Sequence, residues 1–255
     1  ALNTNDTAAL TTDQIVALNS SQIGAMTTGQ IGALNTKQVA AIETTDIVAL
    51  NTAAVRALNT ASVAALTTDQ IVAMTSTQIA AMSTAQISAL TTDQVAAIET
   101  TDIASMKTAQ IAVLNTAHAV VLSTMQVGSL NTADMRAFTT ADVAVLTTDQ
   151  IASLNSAQVA AMSSTQVAVL NTSQAAAIET GDLAGLNSAA IRAYTTAAIN
   201  ALTTDQIAAL NTAQVNALGT LQIAALNTNQ IGAIETSDLA AMNTAQIAAL
   251  NTAQT

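Results

Sequence analysis

Large apolar residues recur along this chain at two positions of an eight-residue period that runs from residue 1 to residue 255 without insertion or deletion. Counting positions from Ala9, slot two is large and apolar in every unit, from Leu10, Leu18 and Met26 through Phe138 and Tyr194 to Leu250. Slot seven is Ile or Val in most units, with Thr7, Ala119, Ala175 and Thr255 as its weak cases. Slot seven and the next slot two are three residues apart, which places both on one face of a helix. On an uninterrupted strand the odd spacing would divide them between opposite faces. A continuous helix fails by the same arithmetic, because eight residues at roughly 100° each displace the apolar stripe by about 80° per unit. The polar run at slots three to six must therefore break the helix. Each octad is predicted to form one to two helical turns followed by a sharp corner.

Two slots carry helix-start chemistry. Slot three is Asn, Thr or Ser in most units and Gln usually follows three residues later, as in Thr11 and Gln14 or Asn211 and Gln214. That is capping-box spacing, and Leu10 and Ile15 around it have the spacing of a hydrophobic staple. Slot four, however, is Thr or Ser in every unit, whereas slot three also admits Glu43, Lys107 and Gly219. The invariance favours the slot-four hydroxyl as N-cap, with slot three as the corner residue.

One such helix cannot stand alone, because nucleation costs more than a single turn returns. Stability must come from stacking, and the small residues at slots eight and one let successive coils approach closely. Slots two and seven are then the inward positions. The expected fold is an all-α solenoid of short helices, one octad per side, spanning 1–255 as a single continuous domain of 32 units. The alternative is a β-solenoid, favoured by the Ile/Val bias at slot seven and the abundance of Thr.

Composition narrows the picture. The chain is 51% apolar, yet Phe138 and Tyr194 are its only aromatics, so the core is built from small and aliphatic side chains. With no Pro and eight Gly, the corners fall to Asn, Thr and Ser. Five basic residues stand against sixteen acidic ones, for a net charge of −11; a phosphate backbone would be repelled, and nucleic acid is not an expected partner. The longest apolar runs are far too short to span a membrane. No Cys is present, which leaves the redox compartment open. The chain opens at Ala1 without Met, in register with the repeat and with no signal-peptide pattern, as expected of a mature piece or an excised segment.

A longer rhythm lies over the octad. Four units read Ile-Glu-Thr-x-Asp, at Ile42–Asp46, Ile98–Asp102, Ile178–Asp182 and Ile234–Asp238. Arg56, Arg136 and Arg192 occupy slot eight on the same beat, and Phe138 and Tyr194 each follow an Arg by two residues. The result is a 56-residue superrepeat with three extra octads, Ser105–Gly128, inserted once. Block duplication explains the superrepeat, and an insertion of three units points to three octads per coil.

The departures from the octad offer few groups for chemistry. The pairs Glu43/Asp46, Glu99/Asp102, Glu179/Asp182 and Glu235/Asp238 could share a cation, but two carboxylates leave calcium's six to eight positions largely unfilled. They read instead as structural acids, capping a helix start or lying near its positive end. His118, the only His, replaces Gln at slot six and is expected to join the same hydrogen-bond row. Arg56, Arg136 and Arg192 are expected to reach solvent, and the Met residues of slot two are core filler. No residue is assigned to catalysis, to a cofactor or to a metal, and the chain is not expected to be an enzyme.

The phrase from Leu202 to Leu210, Leu-Thr-Thr-Asp-Gln-Ile-Ala-Ala-Leu, resembles octapeptide arrays of large bacterial surface or secreted proteins, often described as adhesin-like. It also resembles the triangular solenoid nicknamed the Toblerone fold. The resemblance covers the whole chain and implies a three-sided tube of short helices, outside the cell or at its surface. The expected role is structural: a rigid spacer, stalk or filament-forming segment, self-associating end to end through open solenoid ends. A binding module that uses regular Thr/Asn faces for a carbohydrate, a surface or a protein is the alternative.

Overall fold

The computed structural model describes residues 3–250 and 254. Thr252 and Thr255, which continue slots four and seven of the final unit, lie outside them. Among the described residues there are thirty-one short helices and no strand, from α1 (Thr4–Ala8) to α31 (Thr244–Ala249). One helix occupies each octad, beginning at slot four and running four to six residues. The fold is the all-α solenoid, and the β-solenoid alternative is excluded.

The N-cap is slot three, not slot four. Thr67 is extended (φ −73°, ψ 158°) and its hydroxyl accepts from the Gln70 backbone N–H, while Gln70 Oε1 accepts from the Thr67 N–H at 2.8 Å. The same reciprocal box recurs at Asn19/Gln22, Ser83/Gln86 and Asn211/Gln214. The expectation of a slot-four N-cap is therefore overturned: the slot-four Thr or Ser is the first helical residue. The reason is geometric. Only a side chain on the last extended residue can fold back onto the N–H three places on, and slot six lies three places after slot three.

Helices stack in threes. The chain divides into two compact units, Ala1–Ser129 and Leu130–Thr255. Within the first, α1 packs on α4 (Thr28–Ala33), α2 (Thr12–Val16) on α5 (Thr36–Ala40) and α3 (Ser20–Gly24) on α6 (Thr44–Ile47), and the pattern continues to α16 (Thr124–Ser129). Within the second it runs from α17 (Thr132–Ala137) on α20 (Ser156–Ala161) through α28 (Thr220–Ala225) on α31. Three octads therefore complete one coil, and each unit contains three columns of stacked helices.

The core contains slots two and seven as expected, with Ile71, Ile79, Val95 and Val143 at zero exposure and Leu66, Met82 and Phe138 nearly so. A third slot joins them. Gln70, Gln94, Gln166 and Gln214 at slot six are as buried as their apolar neighbours, so two inward positions become three. Small residues at slots eight and one do allow close approach: a Cβ added to Gly185 would lie 3.1 Å from the Asp182 carbonyl oxygen and 3.2 Å from that of Ser156.

Candidate functional site

A buried polar residue at most of the corners is unusual, and its geometry explains it. In a helix of five residues the last four carbonyls have no intrahelical α-helical partner, and water cannot reach those facing the next coil. The slot-six amide supplies the missing donor. Gln94 Nε2 donates to the carbonyls of Leu66 (2.6 Å) and Val63 (2.9 Å), residues 28 and 31 places earlier. Gln86 does the same to Leu58 and Val55, both at 2.8 Å, and Gln78 to Leu50 at 2.7 Å and Ile47 at 2.8 Å. In the second unit Gln166 reaches Phe138 and Met135, both at 2.9 Å, and Gln214 reaches Leu186 at 2.7 Å and Leu183 at 3.0 Å.

One side chain thus closes the start of its own helix with its oxygen and the end of a helix in the preceding coil with its nitrogen. The capping half of this role follows from local spacing. The inter-coil half was not anticipated, because partners a full coil apart in sequence leave no local mark; the nearest signal was the persistence of one amide type beside the apolar slot seven.

His118 obeys the same geometry, as expected. Its Nε2 donates to the Leu90 carbonyl at 2.9 Å, which fixes the proton on that nitrogen, and its Nδ1 accepts from the Asn115 N–H at 3.4 Å. The ring is 4% exposed, and both nitrogens are engaged.

The acidic units replace the amide with a carboxylate, which cannot donate to carbonyls. Asp46, Asp102 and Asp238 instead accept from the slot-four hydroxyls of Ser20, Ser76 and Thr212 in the preceding coil, each at 2.5 Å, and Asp182 accepts likewise from Ser156. All four Asp are buried in the first turn of their helices, where the helix dipole favours negative charge. Glu43, Glu99, Glu179 and Glu235 occupy the N-cap but make no side-chain cap bond, so of each pair it is the Asp that acts structurally. Among the described residues no group of three or more His, Asp or Glu is placed to hold a metal ion.

The arginines belong to the same device. Arg56, Arg136 and Arg192 are exposed, as expected, and their Nε atoms donate to the carbonyls of Ala81, Ala161 and Ala217, 25 residues on, at 2.8, 3.0 and 3.1 Å. Those alanines end α10 (Ser76–Ala81), α20 and α27 (Thr212–Ala217). Each of these three helices is therefore held at its C-terminus by Arg from the coil before and joined at its first residue to Asp of the coil after. Two features that looked separate in sequence, Arg and Ile-Glu-Thr-x-Asp, pin opposite ends of one helix.

Two buried polar atoms among the described residues have no hydrogen-bond partner, Asp102 Oδ2 and the Tyr194 hydroxyl. Tyr194 fills slot two at 3% exposure, and burial raises its pKa well above the usual phenol value. Phe138, one superrepeat earlier, fills the corresponding place without a hydroxyl. No helix among the described residues is long and apolar enough to cross a membrane.

Comparison with curated proteins finds no match. The ALTTAQ repeat matches in eight segments, residues 1–36, 39–76, 72–97, 95–132, 127–164, 175–212, 207–233 and 231–255. With nearly every octad of the chain falling inside one of these segments, the tandem repeat protein described above belongs to the ALTTAQ repeat family.

Proposed function

We propose that the chain is a structural repeat segment, a rigid spacer or stalk of a bacterial surface or secreted protein, able to extend into filaments through its ends. The observation that supports this reading is the slot-six ladder. From Gln38 onward, the slot-six Gln amides join consecutive coils within each unit through buried hydrogen bonds as well as apolar contact, so bending between coils strains bonds that water cannot replace. Such a column transmits length and stiffness, which is what a spacer needs. In this reading the polar side chains are spent on holding the coils together, and the protein is not an enzyme.

Small-angle scattering tests it. Deleting Ser105–Gly128, three octads and hence one coil, should leave a folded protein whose longest dimension falls by about 8–10 Å, one helix-to-helix spacing. A compact particle whose longest dimension does not change on removing the coil would refute the spacer reading.

One observation favours a second reading. Thr12, Thr36, Thr60 and Thr84 are all exposed and recur at every third octad in one column, forming a regular row of hydroxyls that suits a carbohydrate or a solid surface. Glycan-array binding or thermal hysteresis that disappears when those four residues become Val would support it.

A further inference from the structure

Lys107 is the residue least suited to the corner it occupies. It is the only basic residue at slot three. It stands at the N-cap of α14 (Thr108–Ile111) with no side-chain cap bond, giving up the acceptor that Asn or Thr supplies elsewhere. It also sets a cation at the positive end of a helix, where cations are disfavoured. A local rule broken twice without structural return marks a residue held for another task.

The cavity beside it indicates which task. Lys107 and Arg56 border one cavity of about 490 Å³ together with Thr52, Ser76, Thr77 and Ser105, and no carboxylate lines it. Two of the chain's five basic residues thus meet at one place, although sixteen acidic residues are spread along the same chain. Arg56 is held in position by the bond from Nε to the Ala81 carbonyl at 2.8 Å, which leaves its two terminal nitrogens as unspent donors. Neither cation is ion-paired among the described residues. The Ser76 and Ser105 hydroxyls are spent on Asp102, donating to Oδ1 and to the main-chain carbonyl. Thr52 and Thr77 are exposed, and their hydroxyls remain available as donors.

We propose that this cavity is an anion site, taking a sulfate or phosphate group either free or as the ester of a small sugar. A planar guanidinium fork and a point-like ammonium together match a tetrahedral dianion in charge and in donor geometry. The net charge of −11 repels anions from the surface at large, so retention at this place comes from the local pair. The second unit supplies the contrast. Fifty-one places after Arg56 stands Lys107, but at the same distance after Arg136 and Arg192 stand Asn187 and Asn243. Both are ordinary caps, accepting from the Ala190 and Gln246 N–H groups, so neither arginine gains a lysine partner. The site is independent of the spacer reading.

Titration calorimetry on the full chain tests it, with sodium sulfate and sodium phosphate added against a chloride background at constant ionic strength. Glucose 6-sulfate and glucose 6-phosphate form a second arm that separates the free ion from the ester, with glucose as neutral control. Saturable binding in either arm is the expected result. Lys107→Asn should weaken that binding by about tenfold or more, the loss of one charged hydrogen bond, while Arg136→Gln should leave it unchanged. In chloride alone Lys107→Asn should melt no lower than the wild type, because Asn restores the cap; Lys107→Gln is the second variant. Absence of saturable binding, equal binding of glucose, or binding that Lys107→Asn leaves intact would overturn the site. So would a lower melting temperature for Lys107→Asn in chloride, which would make the lysine a structural counter-charge to Asp102.

Discussion

The side-chain amide of Gln94 donates to the main-chain carbonyl of Leu66 at 2.6 Å while its oxygen accepts from the N–H of Thr91 at 2.8 Å. A single residue at 2% exposure thus ties together two corners that belong to successive coils.

Replacing Gln94 separates its two tasks. Gln94→Ala strands the Thr91 N–H and the Leu66 carbonyl and takes one of two donors from the Val63 carbonyl, and should cost about 1–3 kcal/mol in urea unfolding. Gln94→Glu keeps the capping oxygen but sets a carboxylate against two carbonyls, which raises its pKa above the unfolded value of about 4.3. The ionised form opposes folding, so the variant should be least stable near pH 7 and recover as pH falls towards 4. Identical pH profiles for Gln94→Glu and Gln94→Ala would show that the inter-coil bonds do not matter.

Thr67 and Thr68 are exposed neighbours of identical chemistry, one at slot three and one at slot four. Thr67→Ala removes the acceptor for Gln70 N–H and should lower stability by about 1 kcal/mol. Thr68→Ala should change it by less than about 0.5 kcal/mol. The reverse order in thermal or chemical melts would restore slot four as the cap.

Tyr194 carries a hydroxyl where its counterpart Phe138 has none, and nothing pairs with it. Tyr194→Phe should therefore stabilise the protein by up to about 1 kcal/mol at neutral pH. Above pH 10 the difference should grow. The phenol ionises in the unfolded chain near pH 10, but burial holds the folded pKa higher, so the wild type loses stability as pH rises through that range while the variant does not. Melting temperatures of the two proteins from pH 7 to 11 provide the comparison.

Gly185 is tightly approached by two carbonyl oxygens. Gly185→Ala should cost about 1–3 kcal/mol through forced displacement of the neighbouring coil. Gly232→Ala, where nothing lies within 4 Å of the added carbon, should be neutral or mildly stabilising. Equal effects would indicate that close coil approach is not what demands a small residue.

The core and the helices were legible because they follow from short-range periodicity: Leu66 and Val63 fall on one helical face whatever lies beyond them. The coil of three octads was legible only indirectly, through the insertion of Ser105–Gly128. Slot four misled because invariance within a chain records what was copied, and Thr12 or Thr68 has no cap role to match its constancy. The ladder was not legible because Gln94 and Leu66 become neighbours only after the coil closes. The relation of Arg56, Ser76 and Asp102 was hidden for the same reason, its three parts belonging to three successive coils.

The superrepeat is seven octads long and the coil is three, and seven leaves a remainder of one. Within the first unit the Ser20–Asp46 pair therefore sits on the column of α3 and α6, while its copy Ser76–Asp102 falls on the neighbouring column of α10 and α13 (Thr100–Ser105). In the second unit the step from Ser156–Asp182 to Thr212–Asp238 is again one column. The mismatch acts as a vernier. A block of six or nine octads would have set the buried carboxylates of successive copies in a single file, where like charges add; seven distributes them around the coil at no cost in register.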